Sequence, residues 1–430
     1  MKMRTLVYQT MFLSASHFLV RVVGFVLRIW LSRELGSLAM GLIELASSAQ
    51  MLLITPVISG LPAAMSLMCA KANTAQRVRV LRSGMLLSLI ASLPIMAFAF
   101  LFRTPLCLWL GDIRTMPALL VYLPCIPVLG VSCALNGYYY GAGKPVPPAL
   151  SEILEQIVRF LLTLRLVSAL RGWSAMLRAA IPSAATLLGE TAALVLMLLL
   201  AGRTLFFAPA QGSRRAAMRE LLSLALPLTG MRLIASLMRT VQSVLIPARM
   251  QLSGLTSGEA LSRLGMMNGM LMPVLMLPSF VTCSLSMVAA PELTRRQAQG
   301  RAQRPLIARV LLATLGIGLA AMAAVFVLAP VFAHTLYRQA ELLPLLRRSC
   351  VLIPVMALCQ VSASLMNGLG QQSMSLRISI ASGLTSTVMM YVLCAMPSIR
   401  LWGAIAALAV AQGMTLILSL RALHSACKND

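Results

Sequence analysis

Apolar runs long enough to cross a bilayer recur from one end of this chain to the other, and no other feature limits its fold so tightly. A spanning α-helix needs about 20 mostly apolar residues. Twelve segments meet that measure: 9–32, 41–69, 83–102, 116–140, 149–169, 180–201, 221–247, 264–290, 307–332, 349–369, 378–396 and 401–422. Only 11% of the residues are charged and 59% are hydrophobic, with a mean hydropathy of +0.87. A soluble domain holds about 25% charged residues. A fold wetted on every face cannot hide that much apolar surface, so the sequence predicts an all-α integral membrane protein of about twelve spanning helices. The first run follows a basic start, Met1 to Arg4, as a secretory leader would. It contains Arg21 and Arg28, is too long for a leader core and lacks an A-x-A site, so it is expected to be kept as the first span.

The formal net charge is +25, from 36 Lys+Arg against 11 Asp+Glu. In a soluble chain such basicity suggests nucleic acid. Here the basic residues sit mostly between apolar runs, and no zinc finger, aromatic-basic patch or helix-turn-helix is present, so no nucleic-acid partner is expected. Alternate loops are the richer in Lys and Arg, for example Arg77, Arg79, Arg82, Lys144, Arg214, Arg215, Arg219, Arg295, Arg296 and Arg301. The positive-inside rule then places both termini in the cytoplasm and the chain in the cytoplasmic membrane. Nine scattered cysteines form no CxxC and join no histidine cluster, so neither a disulfide framework nor a metal site is expected.

A basic linker at 203–220 divides the chain into an N-terminal lobe, 1–202, and a C-terminal lobe, 221–430, with six spans each. Two internal matches point to a repeat. The stretch from Gly41 to Leu61 reads like that from Gly265 to Leu285, with kinking Pro56 and Pro278. The run Gly141-Ala142-Gly143-Lys144 reads like Gly368-Leu369-Gly370-Gln371, 227 residues later. Duplicated halves with a binding site between them are the usual plan of transporters.

The order of several short stretches is familiar. Arg21-Val22-Val23-Gly24-Phe25-Val26-Leu27-Arg28, running on through Ser32-Arg33 to Gly36 and Gly41-Leu42, resembles the start of the stage V sporulation protein B family. Gly60-Leu61-Pro62-Ala63-Ala64, Gly137-Tyr138-Tyr139-Tyr140-Gly141, Glu152 to Arg159, and Ile246-Pro247 through Gln251 continue the likeness in the same order. These are polysaccharide-type flippases of the superfamily that includes the lipid II flippase and the multidrug and toxin extrusion transporters. The resemblance implies two six-helix lobes around a central cavity that opens alternately to each face. In the lipid II flippase, cavity arginines engage the diphosphate of a polyprenyl-linked sugar. Arg21 is similar in context to the first of these; the second falls where this chain has Leu27, and Arg28 follows, a spacing shared with the sporulation branch.

The charges inside the spans carry the chemistry. Arg or Asp at the centre of a spanning helix costs about 2.5–3.5 kcal/mol on insertion scales, so such groups turn toward the bundle interior or water. Arg21 and Arg28 in the first span, and Arg232 and Arg239 in the seventh, are each spaced i, i+7, on one helix face. Arg21 and Arg239 fall about 15–18 Å from the outer helix ends, near the midplane. A guanidinium presents a planar fork of donors suited to phosphate and never loses its charge. Snorkelling to headgroups is the competing role. Among the acids, Glu155 and Arg159 are spaced to pair. Glu44 and Glu190 are the candidates for a cavity partner and for Na⁺ or proton coupling. Pro56, Gly60, Pro62, Pro273 and Pro278 interrupt spans and are candidate hinges. The Met-dense segment 265–273 fits either a groove for a prenyl tail or ordinary packing.

Four functions can be set against these residues. A flippase for a polyprenyl-diphosphate-linked oligosaccharide, a cell-wall or polysaccharide precursor, needs a cationic cavity and no catalytic set. A multidrug or organic-cation antiporter of the same fold would want acids where arginines dominate. A membrane-embedded transferase would need a base or nucleophile set, yet His17, His334 and His424 stand apart in sequence. A non-transporting scaffold would not call for intramembrane arginines. The expectation is the flippase: no enzyme, no cofactor, a Na⁺ or proton gradient or the membrane potential as drive, a lipid-linked anionic glycan and membrane lipids as partners, and a monomeric state.

Overall fold

The computed structural model describes residues 3–207, 212–299 and 301–426. The elements are α1 (Met3–Ile58), α2 (Leu61–Lys71), α3 (Thr74–Leu101), α4 (Arg103–Trp109), α5 (Met116–Tyr122), α6 (Cys125–Gly141), α7 (Val146–Ala169), α8 (Ala175–Arg178) and α9 (Ile181–Phe207). They continue with α10 (Arg214–Leu252), α11 (Ser257–Leu264), α12 (Met272–Leu275), α13 (Ser279–Ala298), α14 (Arg304–Pro330), α15 (Leu342–Ser349), α16 (Leu352–Gly368), α17 (Gln372–Leu393) and α18 (Leu401–Ala426). Wider π-helical turns occupy Gly265–Leu271 and Val331–Leu336. Among the described residues there is no strand.

Each of the twelve apolar segments coincides with a helix or a bent helix pair. The stretch Ala15–Lys71 is 57 residues long, about 85 Å of helix, far more than a 30 Å hydrocarbon core requires. It is kinked at Gly36, where φ is 79°, and broken at Ser59–Gly60, so it supplies two crossings. Three pairs are bent by 44°, 52° and 56°, at residues 123–124, 276–278 and 350–351. The second and third breaks sit beside Pro278 and before Pro354; the first sits at Pro124. α7 is long enough to span but carries Glu152, Glu155, Arg159 and Arg165 along its length.

The described residues pack as two compact units. One comprises Met1–Leu27 and Leu42–Thr240, the other Arg28–Gly41 and Val241–Asp430. This partition differs from the expected boundary at 203–220: it falls inside α10, a helix of 39 residues. The reason lies in what each half of α10 buries. Leu221 and Ala225 join a core with Leu61, Met65, Leu81, Leu135 and Met197, and the Thr240 hydroxyl donates to the Ser48 carbonyl at 2.9 Å. Beyond that point the partners change. The Gln242 amide donates to Gly383 O at 3.3 Å and Thr387 Oγ1 at 3.0 Å. Arg249 Nε donates to Tyr391 O at 2.8 Å, with its guanidinium 3.9 Å from the Tyr391 ring centre. A polar linker buries too little to define a packing boundary; an apolar helix defines it by its neighbours.

The first unit is built on α7 against α9 and on α6 against α2 and α3. The second is built on α16, which packs on α13, α14 and α18, with α17 against α18. Both units contain the same turn. α6 ends with Gly143 at φ 70°, its N–H bonded to Tyr140 O at 3.1 Å and the Lys144 N–H reaching back to Tyr139 O at 2.9 Å. α16 ends with Gly370 at φ 74°, its N–H bonded to Asn367 O at 3.1 Å and the Gln371 N–H to Met366 O at 2.9 Å. This is the Schellman arrangement, which needs a left-handed residue that glycine supplies at no steric cost. The two glycine-rich matches in the sequence therefore have one structural cause.

In the second unit the segment 28–41 lies tight against the start of the 265–271 turn. A Cβ on Gly265 would strike Ser37 O and sit 3.0 Å from the Met40 carbonyl carbon, and one on Gly41 would strike Leu261 O. The Ser37 and Ser262 hydroxyls meet at 2.6 Å. Substituting Gly265→Leu should destabilise the protein by about 1–3 kcal/mol, the usual cost of overpacking. Thermal unfolding in detergent reads this as a lowered midpoint; an unchanged midpoint would contradict the close approach.

Candidate functional site

The site is built from ionisable groups on apolar helices, taken one at a time. Arg21 on α1, and Arg232 and Arg239 on α10, are all exposed residues of the first unit. None of the three forms an ion pair among the described residues. Each lies on an apolar helix long enough to span. Such uncompensated charge in a span is costly unless water or an anion meets it. Chemically the three offer fixed positive charge with forked N–H donors, which suits phosphate oxygens.

Arg28 is used differently. Its Nε donates to Gly269 O at 3.2 Å and its Nη2 to Asn268 O at 2.8 Å. The cause is Pro273, which has no N–H. An α-helical ladder would have bonded that missing N–H to Gly269 O, four residues back. The π-helical ladder, which here joins the Met272 N–H to Met267 O, would have bonded it to Asn268 O, five back. One N–H closes one carbonyl, so Pro273 leaves one of these two short of a donor, and the Arg28 side chain reaches both. The Met-dense segment around them is buried: Met266, Met267 and Met270 are core residues of the second unit, which corresponds to packing and not to an open groove.

The expected pair of Glu155 with Arg159 is present, an i, i+4 ion pair on α7. Gly189 on α9 packs directly over it; a Cβ there would stand 3.0 Å from Glu155 O and 3.6 Å from Arg159 Cβ. Glu190, the next residue, is half-buried at the same α7–α9 contact. Glu44 is half-buried on α1. One pairing was not anticipated. His17 Nε2 on α1 lies 3.1 Å from Glu152 Oε2 on α7; the residues are 135 positions apart, with no local spacing to signal it. The candidate hinges divide. α1 runs through Pro56 to Ile58, and Pro62 occupies the first turn of α2, where proline costs no hydrogen bond. Gly60 sits at the break itself, so close to α10 that a Cβ would strike Ala225 O. Pro273 lies in the first turn of α12 and Pro278 caps α13.

These features define a multi-pass, all-helical membrane protein with arginines on its long apolar helices. The chain belongs to the family described as "Polysaccharide biosynthesis protein", which matches residues 6–297. It is 27% identical to stage V sporulation protein B of Bacillus subtilis (strain 168), across 98% of this chain and 84% of that one. It is 23% identical to sporulation protein YkvU of the same organism, across 95% and 92%. Its fold is similar to that of the lipid II flippase MurJ in an inward closed conformation, with a TM-score of 0.77 over 96% of this chain and 87% of that one at 11% identity. It is similar also to an inward-facing multidrug resistance MATE family transporter of the MOP superfamily, with a TM-score of 0.75 over 96% and 99% at 17% identity.

Two ion pairs give opposed expectations. Glu155→Gln takes the hydrogen-bonded carboxylate from Arg159, leaves Glu190 as its nearby acid, and should cost about 1.5–3 kcal/mol. Glu341→Gln removes the exposed partner of Arg263 and should cost under about 1 kcal/mol. Thermal unfolding of the two variants measures both; equal effects would contradict the assignment of Glu155–Arg159 to a dry contact.

Proposed function

We propose that the protein is a flippase for a polyprenyl-diphosphate-linked oligosaccharide, a precursor of cell wall or surface polysaccharide, working by alternating access in the cytoplasmic membrane. The observation that carries this reading is the trio Arg21, Arg232 and Arg239: permanent charge on spanning helices with no carboxylate among the described residues to neutralise it. A diphosphate headgroup supplies the missing anions, and its oxygens match the guanidinium fork. Binding there is charge-assisted but reversible, as a carrier requires. Membership of a polysaccharide biosynthesis family agrees with a glycan cargo, and the fold is one that solved transporters use.

Under this reading Glu44 adds to the polar groups of the first unit, and Arg28 fixes the broken helix of the second. Glu44 and Glu190 are the groups available to couple movement to a Na⁺ or proton gradient, and the breaks at Gly60 and at 276–278 are where the helices would bend. Both termini lie on the cytoplasmic side, following the basic loops. The protein acts as a carrier and not as an enzyme, without a cofactor, and as a monomer.

The test is translocation of a fluorescent polyprenyl-diphosphate sugar in vesicles that hold the purified protein. Arg21→Ala and Arg239→Ala should each slow flipping by about tenfold or more, the loss expected for a charged hydrogen bond. Their thermal midpoints should stay near that of the parent, because neither side chain makes an ion pair among the described residues. Undiminished flipping in both variants would overturn the proposal; transport of an organic cation in its place would favour the antiporter.

A further inference from the structure

A cavity of about 290 Å³ opens in the first unit where α2 ends and α3 begins. It is near the lower end of the volumes, about 300–1,000 Å³, that ligand pockets occupy. Lys71, Gln76, Arg79 and Glu220 line it, above Met68 and Val80 of the core. Lys71 closes an apolar helix and Thr74 starts the next, so the opening stands at the boundary between membrane and water.

The donors here are unspent. Arg79 Nε is shielded from solvent and has no hydrogen-bond partner among the described residues. Its Nη1 runs beneath Gly212, where a Cβ would collide with it. The neighbouring Arg77 shows the contrast: its Nε donates to Cys69 O at 2.8 Å and caps the end of α2. Gln76 gives its carbonyl oxygen to the Asn73 N–H at 3.1 Å in the cap of α3, which leaves its NH₂ as the donor end. Neither Lys71 nor Arg79 forms an ion pair with Glu220 or with any other described acid. Two cations and an amide donor therefore converge on a small space with a single opposing carboxylate.

We infer that this cavity binds a phosphate group, carried on an anionic lipid headgroup or free in solution, through Lys71, Arg79 and Gln76. The site is separate from the spanning arginines and does not depend on the flippase reading. Lys71 sits at the depth of lipid headgroups, where basic side chains attract anionic lipid. The Arg79 fork supplies directional bonds to phosphate oxygens. Glu220 opposes the anion and keeps the affinity moderate.

The experiment is native mass spectrometry of the full-length protein with phosphatidylglycerol, with phosphatidylcholine and with inorganic phosphate. Phosphatidylglycerol should be retained over phosphatidylcholine, and Lys71→Gln with Arg79→Gln should weaken retention by about tenfold. Glu220→Gln should strengthen it, a gain that loss of folding cannot mimic. Arg215→Gln, an exposed cation outside the cavity, should leave it unchanged. Binding of inorganic phosphate with the same pattern across the variants would support the site with a soluble source. The inference is overturned if neither phosphate source responds to the Lys71, Arg79 and Glu220 substitutions, or if Arg215→Gln weakens binding as much as they do.

Discussion

The broken helix ahead of Pro273 depends on one side chain from the other end of the sequence. A carbonyl without a donor costs several kcal/mol in hydrocarbon, so irregular backbone survives in a membrane only where something pairs it. Pro273 removes one donor at the turn where the five-back ladder ends, and the Arg28 fork reaches both carbonyls that donor could have served. The cost of placing an arginine in a span, about 2.5–3.5 kcal/mol, is of the same order as the penalty for a bare carbonyl. Charge and break are each unfavourable alone and tolerable together. That mutual dependence binds residues 28–41 into the second unit, and the tight contacts at Gly41, Gly265 and Ser37–Ser262 follow from it.

The same reasoning sorts the remaining intramembrane charges. Arg159 has Glu155, Glu152 has His17, and Arg28 has backbone oxygen. Arg21, Arg232 and Arg239 have no such partner among the described residues. Compensated charge holds a helix in place, whereas uncompensated charge is available to something that arrives. On the proposed reading, the chain keeps the charges that hold its helices apart from those that would meet a ligand.

Local order was legible in the amino-acid sequence and distant pairing was not. The twelve segments could be read because a bilayer fixes how long an apolar run must be. The paired turns at Gly143 and Gly370 could be read because a left-handed cap needs glycine, and the Glu155–Arg159 pair because i, i+4 is a fixed geometry. The role of Arg28 could not, although Pro273 announces where a donor is lost: the partner lies 240 residues away, and nothing local selects it from 36 Lys and Arg. The boundary inside α10 was hidden for a related reason. One continuous apolar helix changes partners at Thr240, while the basic linker before it looks like a border only in composition.

A double-mutant cycle on Arg28 and Pro273 tests the dependence most directly. Arg28→Gln, Pro273→Ala and the combined variant would be unfolded thermally in detergent alongside the parent. Ala at 273 restores the missing N–H, so the loss caused by Arg28→Gln should shrink in the Pro273→Ala background by a coupling of about 1–3 kcal/mol. Additive losses, with no coupling beyond about 0.5 kcal/mol, would mean that Arg28 does not serve the carbonyl that Pro273 leaves open.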